Sequence, residues 1–471
     1  MTLKSPVKQY VHYKFLKINA DILTPISTFQ RLPGAKKVLL ESSFKHETKG
    51  RYSYIACNPY KEIIGHDNVT LVKKEGCRDE KYSQEALAYL KENLPPLEAD
   101  LPVPFQGGAI GYIGYDAIRQ FEAIGEALQD QLEMPDIHLM LFKTFIAFDH
   151  RNEEIYLIAM NPDQESEQTL HSRLENLKKT LSEPFPDQGI DNKPISFQPE
   201  ISQAIFEERV RIAKQYIEQG DIFQVVLSQR MKAHMKSDPF SYYRKLRKAN
   251  PSPYMFYIDF EDYLLLGASP ESLIQTNGKE ILTNPIAGTS PRGATQEEDE
   301  ELANDLLHDE KEIAEHRMLL DLGRNDLGRV CEIGSISLPT FMKIERYQHV
   351  MHIVSEVKGT LKAGLSSIDA LISCLPAGTV SGAPKIRAMQ IINQLEDAKR
   401  GVYAGGIGYI GFNQDINIAL AIRSLVIKNE IAYLQTGAGI VHDSLPENEY
   451  AETLNKAKSL MEVAKVDPVT R

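Results

Sequence analysis

The sequence has few cysteines, and their positions exclude two kinds of site. Only four occur in 471 residues, Cys57, Cys77, Cys331 and Cys374, and no two of them form a CxxC pair. Structural zinc sites and redox dithiols need cysteines at short spacing, so this pattern argues against both. Scattered, unpaired cysteines are instead typical of a protein in a reducing compartment.

Long apolar runs and an excess of positive charge are also missing. No apolar run reaches the roughly 18 residues that a membrane-spanning helix needs. Residues 1–6 have no apolar core of the kind found in a secretory signal. With 53 Lys and Arg against 65 Asp and Glu, the net charge is −12, which disfavours nucleic acid as the main partner. We therefore expect a cytoplasmic protein that binds neither membranes nor nucleic acid.

What is present is the composition of an ordinary globular protein, with 42% hydrophobic and 25% charged residues. The length suits two or three domains or one large catalytic unit. Residues 182–203 are rich in Pro, Asp and Asn and show no period, so we interpret them as a linker. This predicts an N-terminal region over residues 10–181 and a second region over residues 204–464, with mixed α and β structure.

Two segments far apart in the chain carry matching pairs of glutamates. The pairs, spaced three residues apart, are Glu312 and Glu315 in the first segment and Glu449 and Glu452 in the second. In a helix, this spacing places both carboxylates on one face. A single pair of this kind is most often a solvated surface. Two such helices, however, could together form the all-oxygen site that Mg²⁺ prefers.

The stretch between these segments offers groups suited to a small anion. His352 follows an alternating polar and apolar pattern; a lone histidine is more often structural, although imidazole also transfers protons near neutral pH. The small-residue loop 377–385 precedes a predicted helix, whose first N–H groups could hold an anion, but it departs from the ATP-binding GxxxxGK[ST] pattern. Arg423 lies in an apolar, strand-like run, and a buried arginine needs an anionic partner.

A glycine-rich sequence occurs twice, at residues 108–114 and 405–411. Both copies come close to the GxGxxG pattern of dinucleotide sites, yet the glycines alternate with apolar residues as in a strand. The required strand, tight turn and helix are not indicated. We interpret the repeat as two related strands in two packed sheets, because glycine in a strand often marks a close backbone contact.

Taken in order, these motifs resemble those of the chorismate-utilising enzymes. The matching segments are residues 285–289, 309–330, 347–352, 375–385, Arg423, 437–439 and 449–456. Order and spacing agree from about residue 200 to 460, with a weaker match before it. Within this family the chain is most similar to component I of the anthranilate synthases. The resemblance implies an α+β fold, an α/β sandwich in which two mainly antiparallel sheets pack together with helices outside.

The resemblance also implies a role for each matching residue. Mg²⁺ would be held by Glu315 and Glu452, with Glu449 in the surrounding shell. The groups implied in catalysis are Glu312 as general acid, His352 and Thr379. The groups implied in binding chorismate are Gly288, Thr289, Tyr403, Arg423, the backbone of Gly437, Ala438 and Gly439, and Lys456. Ammonia would add to the ring and pyruvate would leave, without any redox cofactor.

Position 287 bears on which reaction is carried out. Relatives that add water to chorismate carry a lysine base there, whereas this chain has Ala287, which cannot activate water. This disfavours an isochorismate or salicylate synthase. It leaves open 4-amino-4-deoxychorismate synthase component I, in which the pyruvyl group is retained. The chain also departs from most family members at Gly323 and Ser290.

The N-terminal region favours a regulated anthranilate synthase. Ser42, with Pro253, Tyr254 and Met255, resembles the two halves of the family's tryptophan feedback pocket, although these could be ordinary core strands. No cysteine lies in a Gly-x-Cys-x-Gly elbow, so if glutamine is the nitrogen source, a separate glutamine amidotransferase subunit would have to deliver the ammonia. A different kind of function, a non-catalytic amino-acid sensor, would keep the Ser42 and Tyr254 pocket but would not need the glutamate pairs.

Overall fold

The computed structural model describes residues 10–42, 50–186, 189–191, 193, 195–347 and 350–465. Residues 187, 188, 192 and 194 of the predicted linker lie outside the described residues. The α-helices are α1 (Pro25–Arg31), α2 (Ala86–Asn93), α3 (Glu167–Ser182), α4 (Gln203–Glu218), α5 (Pro239–Ala249), α6 (Gln296–His308), α7 (Glu310–Val330), α8 (Ser367–Cys374), α9 (Lys385–Leu395) and α10 (Pro446–Met461). Short 3₁₀ helices span Tyr115–Gln120, Gly378–Val380 and Glu462–Lys465.

The strands alternate with these helices along the chain. They are β1 (His12–Asn19), β2 (Val38–Glu41), β3 (Tyr52–Ala56), β4 (Lys61–His66), β5 (Val69–Lys74), β6 (Glu80–Tyr82), β7 (Gly108–Ile113), β8 (Ile137–Leu141), β9 (Thr144–Asp149), β10 (Glu154–Asn161), β11 (Gln198–Pro199), β12 (Gln224–His234), β13 (Tyr254–Asp259), β14 (Leu264–Ser269), β15 (Ser272–Asn277), β16 (Glu280–Thr283), β17 (Ile286–Pro291), β18 (Ser337–Arg346), β19 (Val350–Thr360), β20 (Gly382–Ala383), β21 (Gly406–Gly411), β22 (Ile416–Leu420), β23 (Ser424–Lys428) and β24 (Ile431–Ile440).

Within the described ranges the strands form two twelve-stranded sheets. The first has the order β1-β10-β9-β3-β2-β13-β14-β23-β24-β12-β11, with β20 beside β12. The second has the order β17-β19-β16-β15-β22-β21-β7-β8-β4-β5-β6, with β18 beside β19. Neighbouring strands pair in antiparallel fashion. The predicted α+β fold with two packed, mainly antiparallel sheets is confirmed.

The main core lies between the two sheets. Tyr54 of β3 in the first sheet meets Tyr409 of β21 in the second, with ring centroids 5.9 Å apart and nearly perpendicular planes. Phe105 packs against both rings. Strands in this layer, such as β7 and β8, are buried along their whole length, so they are almost entirely apolar rather than apolar at alternate positions. Helices α1, α3, α5 and α10 cover the outer face of the first sheet.

The two glycine-rich strands lie side by side in one sheet. β7 pairs with β21, and Gly111 lies opposite Gly408. The expectation that they belong to two different sheets was therefore wrong. A Cβ on Gly111 would approach the carbonyl oxygen of His138 to 2.0 Å, and one on Gly408 would come within 2.1 Å of the carbonyl oxygen of Asn417. The glycines thus allow close backbone approach at the centre of the second sheet, not between sheets.

Strands from before and after residues 182–203 alternate within both sheets. In the first sheet β2 pairs with β13, and in the second β7 pairs with β21. Segments far apart in sequence are therefore held together by backbone hydrogen bonds. The division into two regions and a linker remains a prediction. Among the described residues, no helix combines the length and the apolar character that crossing a bilayer would require.

Candidate active site

The two predicted acidic helices exist and bring their glutamates towards each other. Helix α7 begins after Asp309, whose carboxylate accepts hydrogen bonds from the N–H groups of Lys311 and Glu312. Burial raises the pKa of Glu312, and the charges of Glu315 and, across the gap between the helices, Glu452 add to this. The two carboxylate pairs are therefore close enough to repel one another.

The second helix, α10, starts at Pro446 and carries the other pair. Burial raises the pKa of Glu449, and the charge of Glu452 raises it further. One of its carboxylate oxygens, Oε2, is buried and has no hydrogen-bond partner among the described residues. Glu452 pairs with Lys456 at 2.7 Å. On α7, Glu315 accepts a hydrogen bond of 3.3 Å from the amide of Gln224.

The described residues contain no group of three or more His, Cys, Asp or Glu side chains placed to hold a metal ion by themselves. The glutamates nevertheless fit Mg²⁺ by their chemistry. That ion needs only one or two carboxylates, with water and substrate oxygens completing its shell. The unpartnered oxygen of Glu449 and the raised pKa of Glu312 both indicate negative charge that a cation would stabilise.

Glu271 is a functional candidate that the sequence interpretation missed. It lies at the corner between β14 and β15, is only 8% exposed, and accepts a hydrogen bond of 2.8 Å from the hydroxyl of Thr379. Burial raises its pKa to about 7, against the opposing effects of Thr379, Arg423 and Lys456. A carboxyl group that is half protonated near neutral pH is suited to general acid catalysis. The signal in the sequence was a lone acid, Pro270-Glu271, between two apolar strands.

Arg423 lies beside the carboxyl group of Glu271. The prediction from the sequence that it lies within a strand was wrong. It occupies the turn between β22 and β23 with φ of +49°, because the chain passes from the second sheet to the first there. Burial lowers its pKa, whereas Tyr347 and Glu271 act in the opposite direction. Within the described part of the chain, its guanidinium makes no hydrogen bond or ion pair. A mostly buried cation without a partner is a ready site for an anion.

His352 is held in one orientation by the loop that contains Gly288. Its Nδ1 lies 2.7 Å from the carbonyl oxygen of Gly288 and 3.2 Å from the hydroxyl of Thr289. A carbonyl oxygen can only accept, so Nδ1 carries the proton and Nε2 has a free lone pair. Burial lowers the pKa of His352, which keeps the ring neutral at pH 7. The imidazole is thereby prepared to accept a proton at Nε2.

Gly288 also connects the histidine to the acidic helix. Its φ of +70° is in the left-handed region, and a Cβ there would lie 3.2 Å from the carboxylate of Glu312. Glycine therefore allows the loop to approach α7. The two predicted binding residues Gly288 and Thr289 lie between His352 and Glu312.

Strand β24 supplies the bare backbone that the sequence predicts. Its partner β23 pairs only as far as Leu434, so residues 435–440 have β12 on one edge and an open edge on the other. Lys456 donates a hydrogen bond of 3.0 Å to the carbonyl oxygen of Gly437 at this open edge. A Cβ on Gly437 would lie 2.8 Å from the hydroxyl of Tyr403, and one on Gly439 2.5 Å from the amide of Gln224. The hydroxyl of Tyr403 and the amide of Gln224 can approach the backbone of β24 because Gly437 and Gly439 lack side chains. Ala438, between the two glycines, has only a small side chain.

Together these contacts place the predicted catalytic and binding residues in one region. Gly288 connects His352 with Glu312, and Lys456 connects the β24 backbone with Glu452. Glu271 lies within electrostatic range of both Arg423 and Lys456. The region thus combines cationic side chains, a neutral imidazole, a partly protonated carboxyl group and two pairs of carboxylates. It is suited to a small dicarboxylate that undergoes acid-base chemistry.

The residues of the predicted feedback pocket lie on neighbouring strands of the first sheet. Glu41 at the end of β2 pairs with Met255 of β13, so Ser42 follows directly beside Tyr254. The hydroxyl of Tyr254 accepts a hydrogen bond of 2.6 Å from Gln275 of the second sheet, which places this ring between the sheets. Met255 is buried on the outer face, and Pro253 is buried just before the strand. Successive residues of a strand face opposite ways, so Tyr254 and Met255 do not face the same space.

Comparisons with known proteins identify relatives of this chain. A family model described as chorismate binding enzyme matches residues 36–462. Anthranilate synthase component 1 of Lactococcus lactis subsp. lactis is 46% identical over 453 residues, covering 96% of this chain and 99% of that protein. The crystal structure of anthranilate synthase component I from Streptococcus pneumoniae has a TM-score of 0.83 at 43% identity, covering 94% of this chain and 98% of that one. The menaquinone-specific isochorismate synthase from Escherichia coli shares the fold, with a TM-score of 0.73 at 19% identity over 97% of this chain and 95% of that one.

Proposed function

Because the chain belongs to the family of chorismate-binding enzymes, which confirms the resemblance seen in its sequence, we propose that it converts chorismate and ammonia to anthranilate, pyruvate and water. The observation that carries this proposal is Glu271, which accepts a hydrogen bond from Thr379 and lies near Arg423, whose guanidinium has no hydrogen bond or ion pair among the described residues. Similarity to proteins named anthranilate synthase component 1 over nearly the whole chain supports the choice of reaction.

Chorismate carries two carboxylates, and the site offers a cationic group for each. Arg423 and the hydroxyl of Tyr403, with backbone N–H groups of β24, would hold the enolpyruvyl carboxylate. Glu315 and Glu452 would hold Mg²⁺, with Glu449 beside them, and the bound ion would neutralise the ring carboxylate. Lys456, which now pairs with Glu452, adds positive charge to the same region. Gly288, Thr289 and Thr379 would line the ring.

In the first half of the reaction, the nitrogen of ammonia bonds to C2, the ring double bonds shift and the C4–O bond breaks. Glu271 in its protonated form gives a proton to the departing hydroxyl, which leaves as water. Its pKa of about 7 keeps a large protonated fraction at neutral pH. Burial and neighbouring charges also raise the pKa of Glu312, the acid inferred from the sequence. It lies among the carboxylates proposed to hold Mg²⁺, however, and the bound cation would favour its ionised form. We therefore propose Glu271 for this step.

In the second half, the ring becomes aromatic as the proton on C2 and the enolpyruvyl group leave. Nε2 of His352 is the group available to take that proton, because Nδ1 is committed to Gly288. The C3–O bond then breaks, and the released enolpyruvate becomes pyruvate when its methylene carbon takes up a proton. No electrons are exchanged with a cofactor.

Product identity tests this proposal. The purified chain is incubated with chorismate, Mg²⁺ and an ammonium salt, and the fluorescence of anthranilate is followed. We expect anthranilate and pyruvate in equal amounts. Accumulation of 4-amino-4-deoxychorismate without anthranilate would instead assign the deoxychorismate synthase reaction. Turnover of neither kind, with tryptophan still bound, would favour the amino-acid sensor.

We propose that glutamine-derived ammonia comes from a separate amidotransferase subunit. The four cysteines offer no Gly-x-Cys-x-Gly elbow, and two of them, Cys331 and Cys374, are buried. We expect the chain alone to use ammonium salts but not glutamine, with glutamine becoming a substrate only when the amidotransferase subunit is added. Glutamine-dependent activity of the chain alone would refute this.

We further propose that tryptophan inhibits the enzyme from the region of Ser42 and Tyr254. Support comes from the register, in which Tyr254 pairs with Ser269, two residues before Glu271. A ligand that moves β13 can therefore act on the corner that carries the acid. Ser42→Phe should abolish inhibition by tryptophan while leaving the anthranilate rate close to that of the wild type. Inhibition that persists in Ser42→Phe would place the regulatory site elsewhere.

A further inference from the structure

A small, partly open cavity is lined by Glu271 and Thr379. Its volume is about 40 Å³. The walls come from the β14–β15 corner, the segment between β16 and β17, helix α7 and the loop after α8. They include Glu271, Thr379, Thr283, Asn284, Leu322 and Gly323.

Thr283 and Asn284 in its walls, like Ser272, each have a buried polar atom without a hydrogen-bond partner among the described residues. The hydroxyl of Thr283 and the amide nitrogen Nδ2 of Asn284 are buried without a hydrogen bond to any described residue. The two residues are only 7% and 6% exposed. Buried donors of this kind normally form a hydrogen bond to protein or to ordered water, because a buried donor without a hydrogen bond is energetically unfavourable. Adjacent in sequence and lining one cavity, they indicate a shared ligand.

The size of the cavity limits that ligand to something as small as water. One water molecule needs about 10–15 Å³ of such volume, and stable buried waters make two to four hydrogen bonds. Besides Thr283 and Asn284, the carboxyl group of Glu271 and the hydroxyl of Thr379 line the same space. Oε1 of Glu271 is bonded by Thr379, and within the described residues no bond to its second oxygen is found.

We propose that this cavity is a specific site for ordered water, in which Thr283 and Asn284 hold water that hydrogen-bonds to the carboxyl group of Glu271. Thr283 and Asn284 are then positioning residues, because they act on the substrate through Glu271. The catalytic consequence rests on the proposed function, whereas the existence of the water site does not. Other groups act on Glu271 as well: Thr379, Arg423, Lys456 and Tyr347.

A crystal structure of the full chain tests the site itself. We expect electron density for water within hydrogen-bond distance of both Asn284 Nδ2 and Thr283 Oγ1. Crystals pressurised with xenon should show no xenon in this cavity, because xenon enters dry, apolar cavities. A cavity without water, or one that takes up xenon, would overturn the proposal whatever reaction the enzyme catalyses.

Gly323→Ala tests whether the water affects catalysis without removing any polar group. The added Cβ would lie 3.4 Å from the hydroxyl of Thr283 and 3.5 Å from Pro285, so it fits in ordinary contact and narrows the cavity. Alanine is also a better helix former than glycine, so α7 should not be weakened. We expect kcat to fall roughly tenfold, as for loss of one hydrogen bond to a charged group, with the KM for chorismate nearly unchanged.

Thr283→Val provides an isosteric second variant, and Ser373→Ala serves as a matched control. The hydroxyl of Ser373 is buried nearby but is already bonded to the backbone of Ala370. In both cavity variants, the basic limb of the kcat profile should move to higher pH, because ionised Glu271 loses a hydrogen-bond donor. Unchanged profiles in both variants would overturn the positioning role. If the wild type forms no anthranilate, the proposed function fails, and the crystallographic result still decides the water site.

Discussion

Thr379 donates a hydrogen bond of 2.8 Å to Glu271, and this contact joins residues 108 positions apart in the chain. The hydroxyl stabilises the ionised form of a carboxyl group whose pKa burial has raised to about 7. The protonation of the proposed acid therefore depends on its burial and on Thr379, together with the charges of Arg423 and Lys456. Neither residue, considered alone in the sequence, indicates that this contact forms.

Removing the hydroxyl should move the pH range in which the enzyme is active. In Thr379→Val, ionised Glu271 loses a donor, so its pKa should rise further above the ordinary value. Because the protonated form acts as the acid, activity that falls above about pH 7 in the wild type should persist to higher pH. The measurement is kcat against pH at a constant concentration of free ammonia. Ser381→Ala, whose hydroxyl bonds the backbone of Ala377, is the control, and a shift to lower pH would contradict the assignment.

Replacing the acid itself should slow the chemical step. Glu271→Gln keeps the size of the side chain and the contact with Thr379 but cannot give up a proton in the same way. We expect kcat to fall by about 10²–10⁴-fold, with a much smaller change in KM. Glu280→Gln, an exposed glutamate on β16, should behave like the wild type. If Glu312→Gln shows the large loss in kcat and Glu271→Gln does not, Glu312 is the acid.

Arg423→Met should weaken chorismate binding without lowering the stability of the free enzyme. The guanidinium is mostly buried and forms no ion pair among the described residues, and burial lowers its pKa despite the opposing effect of nearby Glu271, so its removal relieves an unfavourable charge. In the complex, the loss of a hydrogen bond to a carboxylate should raise the KM for chorismate by roughly 10–100-fold. Steady-state kinetics measures the expected rise in KM, and thermal unfolding of the same sample measures the stability of the free enzyme. A clear drop in Tm would show that Arg423 supports the fold.

The acidic pairs should control the requirement for Mg²⁺. In Glu315→Gln and Glu452→Gln, we expect activity to need more Mg²⁺, and calorimetric titration in the presence of chorismate to show weaker binding. The pKa of Glu312 should fall in both variants, because each removes a charge that raises it. Glu447→Gln, an exposed position in the first turn of α10, is the matched control. Equal Mg²⁺ dependence in all three variants would remove these residues from the metal site.

A buried network far from the active site should make stability depend on acid pH. Glu62 accepts hydrogen bonds from His138 at 3.0 Å and Lys36 at 2.7 Å, and Tyr263 lies 2.6 Å from the other ring nitrogen of His138. Burial alone would raise the pKa of Glu62, but these partners outweigh it and lower the pKa to about 2. The stabilisation is therefore fully present above the ordinary pKa of 4.5 and is lost as pH falls towards 2.

Chemical denaturation of Glu62→Gln tests this network. Breaking a buried ion pair costs about 3–5 kcal/mol, so we expect a large loss of unfolding free energy at pH 7. The difference from the wild type should shrink as the pH is lowered below 4.5. Glu280→Gln, which breaks only the exposed pair with Lys358, should change stability by less than about 1 kcal/mol. A difference that does not depend on pH would mean that Glu62 is not ionised in the folded protein.

Local features of the fold and site could be predicted because backbone geometry determines them. The spacing of Glu312 with Glu315, and of Glu449 with Glu452, places each pair on one helix face wherever the helix lies. The glycines of β24 predict bare backbone for the same reason, since the absence of a side chain does not depend on context. The two-sheet fold came from the family resemblance, because apolar patterns alone indicate only mixed α and β structure.

Other features depend on contacts between distant segments and could not be predicted. The pairing of β7 with β21, and the turn that places Arg423 between two sheets, are decided by how the chain crosses from one sheet to the other. Glu271 is an ordinary acid in the sequence. Its pKa is raised only because strands, helix α7 and the loop that carries Thr379 bury it together.

The two acidic helices and the motifs of a chorismate-binding enzyme can be identified from the order of the residues alone. Helix faces and motif spacing are properties of neighbouring residues, so they can be read without coordinates. Which carboxyl group is prepared to act as an acid can be learned only from the folded chain. A pKa depends on desolvation and on nearby charges, and both come from residues that only the fold brings together.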